Sequence, residues 1–162
     1  MLTQDNTGFA IKADWTQYTT PNVSSLRNDT YEYAGSYFSK RTYTTNGILG
    51  GYVTYEYTNG NVSKIKYYDS SNMLYLTWQY TYSDKTDNTG IEFQKIVITT
   101  DNLAGARNKN LVTKMEEIDG SDKKVFESQL SYEFDSDGYP VKVTAHNVNT
   151  NNDTHYSYVY NK

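Results

Sequence analysis

The residues with the most familiar site chemistry are two histidines, His146 and His155, with Asp153 between them. A hairpin could bring both imidazoles together with this carboxylate, a ligand set that suits a transition metal. The alternating pattern, however, places the histidines on strand faces that they share with Lys142 and Thr144, and such faces are typical of solvent exposure. The chain has no cysteine for a thiolate site. We therefore expect no metal and no cofactor.

Acidic residues suggest two other chemistries. Asp135 and Asp137, followed by Gly138, resemble the start of a calcium loop, but such a loop needs a carboxylate about six residues beyond the glycine, and none stands there. Glycoside hydrolysis needs two inward carboxylates roughly 5–10 Å apart. Asp14 and Glu92 would face inward only if the strand registers slip by one residue. The sequence has no nucleophile elbow or phosphate loop and predicts a protein that is not an enzyme.

Aromatic side chains are the most unusual feature, because they form 15% of the chain and 18 of them are tyrosines. Exposed aromatic rings stack on sugar rings, and the abundant Asn, Asp and Gln residues would supply a polar rim. The candidate binding residues are Tyr68, Tyr75, Trp78 and Trp15, of which Tyr68 and Tyr75 flank a tight connection at residues 70–72. For any one ring, packing into the core is the competing interpretation.

The elements that must position these residues are strands, because hydrophobicity alternates with a period of two. Leu76, Trp78, Tyr80 and Tyr82 fall on one face, while the residues between them fall on the other. Dipeptides such as Asn46-Gly47 and Asn59-Gly60, with Asp119-Gly120 and Asp137-Gly138 in longer loops, favour hairpins. Strands are predicted near residues 8–18, 30–38, 41–45, 50–58, 62–69, 73–83, 91–100, 111–118, 124–134, 139–147 and 154–161.

These strands predict an all-β protein with a single domain over residues 1–162. Strands that follow one another through tight turns are antiparallel, and with so little helix the sheet must cover its own apolar face. We expect one strongly curled meander of about ten strands, a barrel or half-barrel, with at most one short helical turn near residues 101–107. Residues 20–29 are expected to form a loop, and Gly50-Gly51 a bulge or bend.

Charge and hydropathy exclude several classes of partner. The net charge of −4 gives no basis for binding nucleic acid, and no apolar run is long enough for a membrane helix. A membrane-spanning barrel needs an apolar belt about 25 Å tall. The polar strand faces instead carry residues such as Glu56, Lys64, Gln79 and Glu133, and the mean hydropathy is −0.80. We expect a sheet that does not span the membrane.

Two segments of the chain resemble each other and, in part, a known family. Residues 55–65 and 132–143 both read as strand, glycine turn and strand, with aromatic–Glu–aromatic leading in. Residues 103–105, 109–113 and 132–144 resemble, in that order, a family of uncharacterised cell-envelope lipoproteins of Gram-negative gut bacteria. Most of the resemblance lies in residues 134–143. The family is a domain of unknown function with a porin-like fold and has no assigned catalytic or binding residues.

The resemblance implies an antiparallel, barrel-like sheet in the cell envelope, either in the periplasm or at the outer-membrane surface. It also implies an export signal and a lipid-bearing cysteine upstream of Met1. With the aromatic surplus, it leads us to expect a non-catalytic binding module for a glycan or a partner protein. Two alternatives stay open: a glycan hydrolase with acidic residues in a barrel mouth, and a structural or assembly protein that pairs through its edge strands.

Overall fold

A computed structural model of the chain describes residues 2–6, 10–20, 23–87 and 108–159. The predicted strand at 91–100 and the predicted helical turn at 101–107 lie outside these residues. The described chain forms strands only, which are β1 (Leu2–Gln4), β2 (Ala10–Thr20), β3 (Val23–Ala34), β4 (Tyr37–Thr45), β5 (Ile48–Thr58), β6 (Asn61–Asp69), β7 (Leu74–Thr86), β8 (Asn110–Asp119), β9 (Lys124–Phe134), β10 (Pro140–Asn147) and β11 (Asn152–Ser157).

The eleven strands form one sheet in which each strand pairs with its neighbour in sequence, from β1 to β11. Every pairing is antiparallel, so the sheet is a meander, as the alternation predicted. Within the described residues, β1 and β11 do not pair with each other, and the sheet is therefore open rather than closed into a barrel.

Bulges bend this sheet along most of its width. Nine of the ten strand pairs contain a register shift, and the exception is the pair between β10 and β11. Each bulge increases the local right-handed twist and bends its strand. The shift opposite Tyr43 and Thr44 leaves Gly50 as the extra residue, which confirms the bulge predicted at Gly50-Gly51. The repeated shifts support the expected curl.

The two faces of the sheet differ as the alternation predicted. The core face carries the main buried cluster and the aromatic residues packed against it. The polar face carries cross-strand ion pairs such as Glu56 with Lys66, and Glu133 with Lys142. The main cluster contains Val53, Val62, Ile65, Tyr80, Val112, Met115, Leu130 and Val143, and a smaller one contains Ala13, Tyr31 and Phe38.

Three local expectations were wrong. Residues 20–29 are not a loop, because β3 already begins at Val23 and pairs with both β2 and β4. The turn predicted between residues 38 and 41 lies instead at Gly35, whose φ of 64° suits a tight turn. In the β8–β9 turn the positive φ, 61°, belongs to Asp122 rather than to Gly120. At Asn46 and Asn59, by contrast, the predicted turns have the positive φ that they require.

One hairpin of the sheet occurs twice. In β6–β7, Ile65 pairs with Trp78, and in β8–β9, 50 residues later, Met115 pairs with Ser128. The bulges fall at equivalent positions, and in each hairpin the tyrosine equivalent to Tyr82 donates its hydroxyl hydrogen to the backbone of the preceding strand. The two segments found to resemble each other in sequence are a different pair of hairpins, β5–β6 and β9–β10.

Candidate functional site

The candidate site lies on the core face, near one end of the sheet. This near end carries the turns at residues 46–47, 70–73, 120–123 and 148–151. The strand register places several side chains opposite one another there. Tyr67 of β6 lies opposite Leu76 of β7, and Glu117 of β8 lies between Trp78 of β7 and Phe126 of β9. Directly opposite residues share a face of the sheet. We call the resulting cluster the aromatic patch, which consists of Tyr43, Tyr67, Tyr75, Trp78 and Phe126.

Tyr75 owes its exposure to a bulge. Tyr67 pairs with Leu76 and Tyr68 pairs with Leu74, so Tyr75 is the extra residue on β7. An extra residue is freed from the ladder, and its side chain is re-aimed. The Tyr75 side chain is 46% exposed. Its ring nevertheless lies close to the Tyr67 ring, with centroids 6.3 Å apart and planes inclined by 53°, so it forms the outer part of the patch.

Trp78 forms the second part of the patch. Its ring meets the ring of Phe126 edge-on, with centroids 5.7 Å apart. Both side chains are half-buried and lie on either side of Glu117 in the same row of the sheet. Edge-to-face contact holds the two rings in a fixed orientation. Trp78 therefore presents a rigid, partly exposed ring beside a carboxylate.

The glycine pair of β5 makes room for Tyr43. A Cβ atom on Gly50 would lie 2.6 Å from Cε2 of Tyr43, and one on Gly51 would lie 2.8 Å from its hydroxyl oxygen. The Tyr43 side chain therefore crosses the backbone of β5 where β5 has no side chains. On β3, the Arg27 guanidinium lies 4.9 Å from the centre of the Tyr43 ring, within range of a cation–π interaction.

A buried ion cluster borders the patch on β3 and β4. Asp29 is 1% exposed and accepts hydrogen bonds from Arg41 Nη2 at 2.7 Å and from Arg27 Nε at 3.1 Å. Two guanidinium groups on one buried carboxylate leave positive charge beside the aromatic rings. Asp29 therefore has a structural role in positioning Arg27 and Arg41.

The Tyr67 and Tyr75 phenols of the patch are hydrogen-bond donors at neutral pH. Burial raises the pKa of Tyr67, an effect that Arg41 opposes and Glu117 reinforces. Burial also raises the pKa of Tyr75, and the neighbouring Tyr43 adds to this rise through charge interaction and hydrogen bonding. Both hydroxyls therefore stay protonated well above pH 7. The patch can stack on a ligand and donate hydrogen bonds to it, but the Tyr67 and Tyr75 phenols do not act as bases.

The four predicted binding residues do not all lie together. Tyr75 and Trp78 belong to the aromatic patch. Tyr68 lies on the polar face, where its ring stacks on Tyr52 with centroids 4.6 Å apart and planes 11° apart. The tyrosine pair at residues 67 and 68 is thus split between the two faces, as the alternation predicted. Trp15 is in β2, opposite Arg27 in the register, and its side chain lies outside the described part of the structure.

Sequence reasoning missed Tyr43, Tyr67 and Phe126 as members of the site. The alternation puts Phe126 on one face with Leu130 and splits Tyr67 and Tyr68 between the two faces, but nothing local shows that register brings Phe126 and Tyr67 beside Trp78 and Tyr75. The available signal for Tyr43 was Gly50-Gly51, because two adjacent glycines in a strand often mark a side chain passing close to the backbone.

The acidic and histidine candidates make other contacts. Asp14 is paired with Asn28 on the polar face, where hydrogen bonds from Asn28 and Lys12 lower its pKa, while Glu92 lies outside the described residues. His146 Nδ1 lies 2.7 Å from Asp153 Oδ1, and His155 Nδ1 lies 3.0 Å from the Thr144 hydroxyl. Within the described residues, no three His, Asp or Glu side chains are grouped as metal ligands.

The calcium-like segment forms a hairpin turn. The Asp135 carboxylate accepts backbone hydrogen bonds from Asp137 at 3.0 Å and from Tyr139 at 2.9 Å. Gly138 follows with a φ of 83°. An Asp side chain that accepts bonds from the backbone ahead of it stabilises a tight turn. The same arrangement recurs at Asp69 and Asp119, so these carboxylates cap turns.

Among solved structures, the chain is similar to a porin-like protein from Bacteroides vulgatus, with a TM-score of 0.57 and 12% identity, over 91% of this chain and 71% of that chain. A porin-like protein from Bacteroides uniformis aligns with a TM-score of 0.38 and 11% identity, over 96% of this chain and 86% of that one. No protein-family model and no curated protein matches the sequence. The first similarity shows a porin-like sheet fold, and the second is too distant to add to it.

A search of the described residues finds no helix with the length and apolar character needed to cross a membrane.

Proposed function

We propose that the protein is a non-catalytic binding module of the cell envelope and that its aromatic patch binds a glycan chain. The observation that carries this proposal is the exposed Tyr75 ring, held by a bulge beside Tyr67, with the half-buried Trp78 three residues further along the same strand. Large aromatic rings exposed together at one place are typical of interaction sites rather than of ordinary surface.

The chemistry around the rings suits a sugar. The apolar faces of Tyr75 and Trp78 offer stacking surfaces for pyranose rings, while the protonated phenols donate hydrogen bonds to hydroxyl and ring oxygens. Glu117 supplies an acceptor in the same row as Trp78. A site with a few fixed polar groups among aromatic rings is well suited to a ligand that has both apolar faces and many hydroxyls.

An envelope location is supported by the sequence resemblance and by the fold. The neighbour that shares the fold is a porin-like protein from Bacteroides vulgatus, a Gram-negative gut bacterium. The polar face carries repeated ion pairs, such as Lys114 with Glu116 and Lys124 with Glu127, which are unsuited to contact with lipid chains. We infer that the sheet lies beside the membrane and does not span it.

Binding to a panel of soluble bacterial, plant and host polysaccharides tests the proposal, measured by affinity electrophoresis and by isothermal titration calorimetry. The repeated hairpin supplies well-matched variants, because β9 carries Val125 where β7 carries Tyr75, and Ser128 where β7 carries Trp78. We expect Tyr75→Val and Trp78→Ser each to weaken binding at least about tenfold, the equivalent of about 1.4 kcal/mol.

Tyr68→Ile is the matched control, since Ile118 is the equivalent residue of β8 and Tyr68 faces the polar side. This variant should bind as the wild-type protein does. Circular dichroism confirms that each variant is folded. If folded wild-type protein binds no polysaccharide of the panel, or if Tyr68→Ile weakens binding as much as Tyr75→Val, the assignment of the patch is wrong.

A further inference from the structure

We infer that β11 is an interaction edge and that its partner is β11 of a second copy of this chain. The two strands would run antiparallel about Tyr156, which would lie opposite its own copy. The inference rests on the two outer edges of the sheet and is independent of the aromatic patch. It would join two open sheets into one continuous sheet with twofold symmetry.

The two edges of the described sheet differ in how they are protected. β1 has three residues, and its pairing with β2 contains a register shift between Thr3 and Gln4. Short, bulged edge strands are poor templates for pairing. β11 has six residues, and its pairing with β10 runs from Asn152 to Ser157 without a shift. It contains no lysine and no proline, which commonly protect exposed edges, and its one carboxylate, that of Asp153, contacts His146 of β10 at 2.7 Å.

The backbone hydrogen bonds show which groups of β11 face outward. The Tyr158 N–H donates to the Val141 carbonyl at 2.9 Å, so residue 158 and the even-numbered residues of β11 point toward β10. The backbone groups of Asp153, His155 and Ser157 consequently point away from β10, because successive residues of a strand alternate in direction. These are the groups that a further strand would pair with.

Side chains favour a register centred on Tyr156. In this register His155 pairs with Ser157 of the partner subunit, which keeps the two histidines apart. Tyr156 meets its copy as a non-hydrogen-bonded pair, the closer of the two antiparallel geometries, and Thr154 faces Tyr158 of the partner subunit. Tyr156 and Tyr158 already pack against the main core cluster. Cross-strand aromatic pairs stabilise sheets, so the core face would continue across the joint.

A second copy fits this edge because the register about Tyr156 is self-complementary: His155 meets Ser157 of the partner subunit, no like charges meet, and the aromatic core face continues across the joint. The described sheet has only one edge that is open in this way. Two sheets that pair through their one open edge form a closed dimer, whereas two open edges would lead to filaments. The joint involves one short strand from each copy, so its area is below the roughly 1,200 Å² of a standard interface. The dimer is therefore weak and depends on protein concentration.

Sedimentation velocity and small-angle scattering from about 10 μM to about 1 mM test this inference. We expect a monomer at the low end and a growing dimer fraction at the high end. His155→Pro removes an outward N–H without touching the ladder to β10, and it should weaken dimerisation at least tenfold. His155→Ala is the matched control, because it removes the same side chain but keeps the N–H, and it should dimerise as the wild-type protein does.

A cysteine variant tests the register without relying on His155→Pro to fold. The chain has no cysteine, so Tyr156→Cys places one thiol in each copy. Directly opposite residues in a non-hydrogen-bonded pair have Cα atoms about 4.5 Å apart, within the range of a disulfide. Diamide should oxidise the two thiols to a disulfide-linked dimer, whereas Ser131→Cys on β9 should remain monomeric. A wild-type protein that is monomeric at the highest concentration, a dimer that persists in folded His155→Pro, or Tyr156→Cys protein that does not crosslink would each overturn the inference.

Discussion

Tyr80 gives the sharpest test of how the tyrosine-rich core is stabilised. Its side chain is 6% exposed, and its hydroxyl has no hydrogen-bond partner among the described residues. Burial strongly raises its pKa, so the group is neutral and desolvated. A buried hydroxyl without a partner destabilises the folded state by about 1–3 kcal/mol. We expect Tyr80→Phe, which deletes that hydroxyl and keeps the ring, to increase the free energy of unfolding by about 1 kcal/mol.

Two other tyrosines of the same core provide matched controls. The Tyr82 hydroxyl donates to the Val62 carbonyl at 2.7 Å, and the Tyr132 hydroxyl donates to the Val112 carbonyl at 2.6 Å. Tyr82→Phe and Tyr132→Phe each remove a hydrogen bond that is present in the folded structure and should lower the free energy of unfolding by about 1 kcal/mol. The three chemically identical changes should therefore differ in sign.

Urea unfolding followed by circular dichroism measures all three variants against the wild-type protein. The expected separation between Tyr80→Phe and Tyr82→Phe is about 2 kcal/mol, well above the uncertainty of comparing midpoints at a shared slope. The slope itself should be unchanged, because the surface exposed on unfolding is nearly the same. If Tyr80→Phe destabilises the protein as much as the two controls do, the Tyr80 hydroxyl is hydrogen-bonded in solution and the reasoning from the core geometry fails.

Three other properties of the fold can be tested. Burial raises the pKa values of Tyr67 and Tyr132 above 10.0, so these phenols ionise at a lower pH in the unfolded chain than in the folded protein. The free energy of unfolding should therefore stay constant below pH 10 and fall above it. The absorbance at 295 nm, which reports tyrosinate, should rise in a step when the protein unfolds at such a pH. Asn61→Ala removes two hydrogen bonds to Asn110, at 3.0 Å and 2.9 Å, and should lower the free energy of unfolding by about 2 kcal/mol, whereas an unchanged urea midpoint would contradict this. Gly51→Ala would press a Cβ against the backbone carbonyl oxygen of Tyr68 at a φ of 148° and should lower the melting temperature by several degrees. An unchanged melting temperature would show that the backbone relaxes freely at this site.

The sequence was sufficient to predict the strands and their faces because the relevant signal is local. A strand side chain points up or down by its position alone, so Trp78, Tyr80 and Tyr82 could be assigned to one face without knowing their neighbours. The same holds for Asn46-Gly47 and Asn59-Gly60, whose backbone requirements lie within the dipeptide. The order of the meander followed directly, since short turns leave few other topologies.

Register was not predictable, and it is register that builds the aromatic patch. The alternation placed Tyr67 and Tyr68 on opposite faces, but it gave no sign that Tyr75 would be the extra residue of a bulge. The start of β3 at Val23 was not predictable either, because the mostly polar segment 23–29 is typical of a loop. The contacts of Asp29 with Arg27 and Arg41 form only in the folded sheet. Such features depend on pairing between strands, which a single sequence does not display.

The repeated hairpin separates what the fold requires from what the site requires. At the buried positions, the two copies keep similar residues, such as Val62 and Val112, and the tyrosine hydroxyl contact is kept in both. At the bulge, β7 has an exposed Tyr75, whereas β9 has the 40% exposed Val125.

Between the bulge and Trp78, the core face carries Leu76, which corresponds to Phe126. The position after it continues the difference seen at the bulge, because Trp78 corresponds to the buried Ser128. A hairpin of the same geometry therefore forms without either aromatic ring. The rings of Tyr75 and Trp78 exceed what pairing and turn formation need, and burial does not account for Tyr75, which is exposed, whereas the half-buried Trp78 also packs against the main core cluster. A large exposed ring at a position where the same fold accepts valine supports the proposed ligand contact, because Tyr75 lies beside the other rings of the aromatic patch.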